Sequence, residues 1–152
     1  MNTTTYIRRE TLVSIVINTV LSLAFFVAVF GRGGAVPVWG VGHYVFDFGP
    51  QAFMIALMAT LVPGALAARA LRAGRVVPWV GRSRLPGSLL LRALLLAGLS
   101  ATLAVTGAGV ALRALGAVAL PYAPALAVKL VFAVVLATIV TPAGLRAALS
   151  RR

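Results

Sequence analysis

The sequence predicts an all-α integral membrane protein in which four transmembrane helices form one bundle. Of its 152 residues, 61% are apolar and only 11% are charged, and the mean hydropathy is +1.04. A soluble domain needs about a quarter of its residues charged to cover its surface. The two acidic residues, Glu10 and Asp47, cannot balance the 14 basic ones. These values exclude an ordinary soluble domain.

Charge-free segments locate the four helices. Crossing about 30 Å of hydrocarbon takes about 20 helical residues. Three uncharged runs of 20 or 21 residues have this length, and none shows the sustained alternation of a transmembrane β-strand. With a fourth apolar segment near the C-terminus, they form a single predicted domain over 1–152. We predict spans at about 11–31, 49–70, 91–113 and 122–146.

The fourth span contains a lysine. Only 16 uncharged residues separate Lys129 from Arg146, about 24 Å of helix. A lysine side chain can extend its ammonium group towards the headgroups. We therefore expect Lys129 to lie within the outer leaflet with its ammonium directed outwards.

The basic residues are divided unequally between the two sides of the membrane. Eleven lie at the termini or in the central loop region, whereas the other side has three, Arg32, Arg113 and Lys129. Short loops rich in arginine and lysine stay in the cytoplasm. We predict that both termini are cytoplasmic. The preference for arginine over lysine favours a bacterial inner membrane.

Spans two and four end in similar segments, residues 59–63 (ATLVP) and 137–142 (ATIVTP). Chance similarity between helices rich in alanine and valine is one explanation. A true repeat would instead give two helical hairpins related by an axis along the membrane normal. Each of these spans has a proline followed by an arginine near its end, Pro63 with Arg69 and Pro142 with Arg146. In this the chain resembles short bacterial inner-membrane proteins of unknown function, built from one or two helical hairpins. That resemblance implies no activity.

Polar residues of span one line one helix face, because Thr11, Ser14, Asn18 and Ser22 recur every three or four positions. Asn18 either hydrogen-bonds to a neighbouring helix or lines a substrate path. A water-accessible cavity that borders Asn18 and Ser22 and runs past Lys129 would favour transport and count against the scaffold role. Direct hydrogen bonds between helices would favour a packing role.

A group of polar residues at the outer side is a candidate site for an anion or a lipid headgroup. Asp47 is the sole outer carboxylate, and pairing with Lys129 would offset the cost of submerging each charge. Solvation of separate charges at the interface is the alternative. His43 and Asp47, four residues apart, would suit a proton relay or a helix cap. The polar residues of this outer group are Arg32, His43, Asp47, Gln51, Arg113 and Lys129. The residues assigned to the site are Asp47, Lys129, Arg113, His43 and Asn18.

Small residues cover two faces of span three, with Ala93, Ala97 and Ala101 on one and Gly98 and Thr102 on the other. Such rows let helix backbones approach closely in lipid. We therefore expect span three to be the centre of the bundle or an oligomer interface.

The central loop, residues 73–88, mixes arginine with glycine, proline and apolar residues. We expect it to lie on the inner leaflet, with Trp79 among the headgroups and Arg75, Arg82 and Arg84 facing anionic lipid. Docking of an acidic cytoplasmic partner is the alternative.

The absence of cysteine and the single histidine exclude thiolate chemistry and a cysteine- or histidine-rich metal site. Catalytic sequence motifs are missing too. We expect no enzyme activity, no cofactor and no nucleic-acid partner. The predicted function is that of a small accessory or scaffold protein, associating with lipid, a larger membrane complex or further copies of itself. The alternative is a homo-oligomeric permease or channel whose path passes Asn18, Thr60, Thr138 and Lys129.

Overall fold

The computed structural model describes residues 1–81 and 83–150, and all four helices are long and apolar enough to cross a membrane. This confirms the predicted four-helix membrane fold. Two short antiparallel strands add a small sheet at one end. The elements are α1 (Thr3–Phe30), β1 (Ala35–Pro37), α2 (Tyr44–Arg72), α3 (Leu89–Ala114), β2 (Ala119–Pro121) and α4 (Tyr122–Leu149).

The helices are longer than the predicted spans, because their ends continue beyond the apolar segments. Helix α1 begins at Thr3, where the Asn2 side chain accepts a hydrogen bond from the Thr4 amide. Helix α3 begins after Ser88, whose hydroxyl accepts from the Leu91 amide. These caps satisfy backbone amides that the helix itself leaves free. Charge-free runs therefore locate the spans but miss the helix ends.

Helices α2 and α4 form the centre of the bundle. Helix α3 packs mainly on α2, and α1 packs mainly on α4. Of the two expectations for span three, its position at the centre of the bundle is therefore wrong, and its role as an oligomer interface stays a prediction. Ala97 of α3 is buried beside Ala56 and Ala59 of α2. On other faces of α3, Gly98 and Gly107 have no neighbouring atom within 4 Å of the position that a Cβ would occupy.

The helix contacts have the twofold pattern expected of a hairpin repeat. Exchanging α1 with α3 and α2 with α4 leaves the set of large interfaces unchanged. The strands share this relation, because Val36 pairs with Leu120 at the middle of the sheet and each lies between an alanine and a proline. Both helices that follow a strand begin with tyrosine, Tyr44 and Tyr122. This pattern relates the two halves of the chain, but within each half the consecutive helices make few contacts, so the hairpin repeat stays a prediction.

The N-terminus, the α2–α3 loop and the C-terminal helix end meet at one end of the bundle, here called the basic end. The Met1 amino group donates to the Arg75 carbonyl oxygen at 2.9 Å. The Trp79 amide donates to the Leu149 carbonyl oxygen, also at 2.9 Å. The strands lie at the opposite end, the strand end. The α2–α3 loop thus contacts both the N-terminal end of α1 and the C-terminal end of α4.

The close contact between α2 and α4 predicts that a larger side chain at this contact lowers the stability of the protein. A Cβ on Gly144 would lie 3.2 Å from Thr60 Cγ2 and 3.6 Å from Thr60 Cα. We expect Gly144→Leu to force the two central helices apart and to lower the free energy of unfolding by about 1–3 kcal/mol. The measurement is reversible unfolding in mixed detergent micelles, followed by circular dichroism.

The matched control is Gly107→Leu, which adds the same side chain to an open face of α3. Its effect should stay within about 0.5 kcal/mol. Equal losses in the two variants would contradict the close approach of α2 and α4.

Candidate functional site

A buried ion pair joins the two central helices near the strand end. Lys129 Nζ of α4 lies 2.8 Å from Asp47 Oδ2, in the first turn of α2. The lysine side chain is 1% exposed and the aspartate side chain 21%. The ammonium group ends on this carboxylate near the N-terminal end of α2. The pair offsets the cost that either charge alone would have in a membrane.

Aromatic rings enclose the ammonium group on its other sides. Lys129 Nζ lies 3.7 Å from the centroid of the Phe48 ring and 5.0 Å from that of Tyr44. The electron-rich faces of such rings attract a cation, most strongly where water is excluded. Tyr44 is held in place because its hydroxyl donates to the Ala125 carbonyl oxygen at 2.8 Å. The charge of Lys129 is thus compensated by a carboxylate and two rings.

The other charged residues of the predicted outer site form no ion pair with Lys129 or Asp47 among the described residues. Arg32 and Arg113 are exposed. His43 precedes α2, and its Nδ1 atom contacts the Trp39 carbonyl oxygen. Asp47 has a different partner, Lys129, so the structure does not form the His43–Asp47 relay. The predicted cationic pocket is not assembled within the described part of the chain.

The polar stripe of span one faces the bundle interior. Asn18 Nδ2 donates within α1 to the Ser14 carbonyl oxygen at 2.8 Å and to Ser14 Oγ at 3.1 Å. Thr141 Oγ1 of α4 donates to the same Ser14 Oγ at 2.9 Å. All three residues are buried. The hydrogen bond between helices expected of Asn18 is therefore made by its neighbour Ser14.

Gln51, which is expected among the outer charges, links three helices. Its Nε2 atom donates to Ser22 Oγ of α1 at 3.0 Å and to the Lys129 carbonyl oxygen of α4 at 3.4 Å. Its Oε1 atom is buried and has no hydrogen-bond partner among the described residues. The signal that could have revealed this position is the spacing from Asp47, because four residues along a helix return to the same face.

These polar side chains line a cavity of about 120 Å³ between α1 and α2. The cavity exists because α1 packs mainly on α4 and makes few contacts with α2. Four apolar residues that border it are exposed on the outer surface of the bundle, so it opens sideways towards lipid. These four are Leu21, Phe25, Met54 and Met58, and the polar residues of the lining are Asn18, Ser22, Asp47, Gln51 and Lys129.

The cavity meets one requirement of the transport alternative, because it borders Asn18 and Lys129. It extends no further towards the basic end than Asn18 and Met58. Thr138 is exposed on the outer surface of α4, where it donates to the Val134 carbonyl oxygen at 2.7 Å. Thr138 therefore lies off the interior path that the alternative assigned to it, and the cavity is a lateral pocket.

The basic end presents an amphipathic loop surface. Arg75 and Arg84 are exposed, and so are the apolar side chains of Val77 and Val80. Arg82, which was assigned to the same surface, lies outside the described residues.

Trp79, which is expected among the headgroups, is half-buried against the ends of the helices. The guanidinium carbon of Arg146 lies 5.7 Å from the centroid of its ring. The two valines are therefore the apolar side chains that this loop exposes.

Comparison with known proteins adds no functional assignment. No family model, curated protein or solved structure matches the chain. The resemblance to short bacterial hairpin proteins stays a prediction. Among residues 1–81 and 83–150, no cluster of histidine, cysteine and acidic side chains could hold a metal ion.

The different burial of the two ion-pair partners predicts unequal effects of removing them. Asp47→Asn leaves an almost fully buried ammonium without its counter-charge, and we expect a loss of about 3–5 kcal/mol in the free energy of unfolding. Lys129→Met should cost less, because the remaining carboxylate is partly exposed and methionine packs well against aromatic rings.

The double variant Asp47→Asn/Lys129→Met should recover most of the stability that Asp47→Asn loses. Reversible unfolding of all four proteins in mixed detergent micelles gives the coupling energy of the pair. Additive losses in the double variant would show that the two charges do not stabilise each other.

Proposed function

We propose that this small multi-pass membrane protein is an accessory protein of the bacterial inner membrane, and that it holds a lipid-like molecule in the cavity between α1 and α2. The lateral opening of this cavity carries the proposal. A pocket bordered by exposed Leu21, Phe25, Met54 and Met58 is accessible from the hydrocarbon of the membrane. Pockets of this kind, apolar with a few polar groups, are typical binding sites for small molecules. We propose no catalytic role and no nucleic-acid partner.

Filling the cavity should remove the bound molecule. We expect native mass spectrometry of the full chain, purified in mild detergent, to detect a co-purifying lipid-like molecule. Met54→Trp should reduce the occupied fraction at least fivefold, because the larger side chain takes up the mouth of the cavity. The matched control is Leu66→Trp, since Leu66 is exposed on the same helix but does not border the cavity.

Equal occupancy in Met54→Trp and Leu66→Trp would place the bound molecule elsewhere on the protein. A wild-type protein that carries no such molecule, and takes up none when reconstituted with bacterial lipids, would overturn the proposal.

The distribution of charge supports the proposed orientation. The basic end contains most of the arginines, and exposed Arg75 and Arg84 lie close to exposed Val77 and Val80 in the chain. Each basic residue near an anionic leaflet contributes about 1 kcal/mol of attraction. We therefore propose that the basic end contacts anionic lipid on the cytoplasmic side and that both termini lie there.

Single cysteines can test this orientation, because the chain has none of its own. We expect Gly33→Cys, near the strand end, to react with a membrane-impermeant maleimide on spheroplasts. Val80→Cys, at a position that is 95% exposed, should react only after the membrane is permeabilised. The reverse pattern of labelling would overturn the orientation.

The open face of α3 supports association with a membrane partner or with a second copy. Gly98 has an unoccupied space beside it, and Thr102 and Thr106 are exposed. Small residues on a lipid-facing helix allow another helix to approach closely. This face therefore supports the proposal that the protein assembles into a larger membrane complex.

A homo-oligomeric permease or channel is the second candidate, and one observation favours it. Asn18, Ser22 and Gln51 line a cavity beside the buried ion pair. The lateral opening and the limit of the cavity at Asn18 favour binding from the membrane over passage across it.

A further inference from the structure

We infer that the cavity between α1 and α2 selects a neutral lipid with a hydroxyl group that donates a hydrogen bond. The inference rests on the proposed function and specifies the chemistry of the bound molecule. Two observations carry it: the cavity lining contains amide oxygens without donors, and the charged residues of the lining already neutralise each other.

The first amide oxygen belongs to Asn18, a cavity-lining residue that is only 4% exposed. Both hydrogen bonds of its side chain leave from Nδ2, and both end on Ser14. Its Oδ1 atom therefore has no donor among the described residues. An amide oxygen that borders a cavity without a donor gains a hydrogen bond from a ligand that supplies one, and such a ligand gains affinity.

The second amide oxygen belongs to Gln51, on the helix facing Asn18 across the cavity. Both donor contacts of Gln51 use Nε2, which leaves Oε1 buried without a partner in the described part of the chain. Because Oε1 is fully covered, a small rotation of the Gln51 amide is needed to bring it to the cavity surface, where it and Asn18 Oδ1 match a ligand that donates. An ether or ester oxygen, which only accepts, does not complement them.

The charges of the lining favour a neutral polar group. Lys129 is paired with Asp47 at 2.8 Å and covered by aromatic rings, so it offers no free positive charge for a phosphate. Asn18 also lies near the middle of α1, where a charged headgroup would leave its solvation behind. A hydroxyl group has no such charge to desolvate.

The size of the cavity sets how such a molecule would bind. About 120 Å³ accommodates only the hydroxyl-bearing end of a lipid. The remaining chain would lie in the opening, against the exposed side chains of Leu21, Phe25 and Met58. Long-chain alcohols and other lipids with a single neutral hydroxyl group have both a small donating end and a long apolar chain.

The test compares hexadecanol that has a photoreactive diazirine in its chain with the methyl ether of the same alcohol, which cannot donate and is larger by one methyl group. The full chain is equilibrated with each probe in phosphatidylcholine nanodiscs, and the cross-linked fraction is measured by mass spectrometry against probe concentration. We expect the alcohol to bind roughly threefold to tenfold more tightly than the ether, as the loss of one hydrogen bond implies.

Asn18→Leu and Gln51→Met each remove one acceptor and should reduce this preference, while binding of the ether is retained. The matched control is Thr19→Val, which removes a buried hydroxyl oxygen that also lacks a partner in the described chain but lies outside the cavity. It should leave the preference unchanged. Because each variant is compared with itself using two probes, a general loss of stability does not imitate the expected result.

Equal binding of alcohol and ether by the wild type would overturn the inference and leave the proposed function intact. A preference that persists in both Asn18→Leu and Gln51→Met would also overturn it. If neither probe cross-links to residues around the cavity, the proposed function fails together with the inference.

Discussion

Helices α2 and α4 approach each other closely because small residues line their contact. Ala56 of α2 and Ala133 and Ala137 of α4 are fully buried, and Gly144 faces Thr60. In a membrane the hydrophobic effect does not drive helices together, so close packing of backbones contributes much of their association. This contact places Asp47 beside Lys129 and leaves α1 and α3 to pack on opposite sides of the central pair.

Polar contacts then specify how α1 joins this pair. Thr141 binds Ser14 between α4 and α1, and Gln51 binds Ser22 between α2 and α1. Packing of alanine, valine and leucine tolerates sliding and rotation of a helix, whereas a hydrogen bond requires one register. Because α1 contacts α2 only sparsely, the space between these two helices stays open near Gln51. The same arrangement that holds α1 in place therefore creates the lateral cavity.

The candidate site could be predicted only in part. The sequence indicates a pair of Asp47 with Lys129, because each charge is costly alone in a membrane. It also predicts Arg113 and His43 in the same site, since they share the outer side, yet Arg113 is exposed and His43 contacts Trp39. It predicts Gln51 among the outer charges, although the Gln51 amide lies between three helices. Depth along a helix is readable from sequence, but the direction in which a side chain faces depends on which helices are neighbours.

Apolar composition and the spacing of charges were sufficient to predict four membrane helices, because the thickness of the hydrocarbon sets the length of a span. The small residues of span three predicted either the centre of the bundle or an oligomer interface. The central position is wrong, because small residues permit close packing but do not specify the neighbouring helix. The tertiary structure decided which helices are neighbours and where α1 separates from α2. It also decided which amide oxygens lack donors. These features depend on contacts between segments far apart in the chain, and helices of similar composition do not specify such contacts locally.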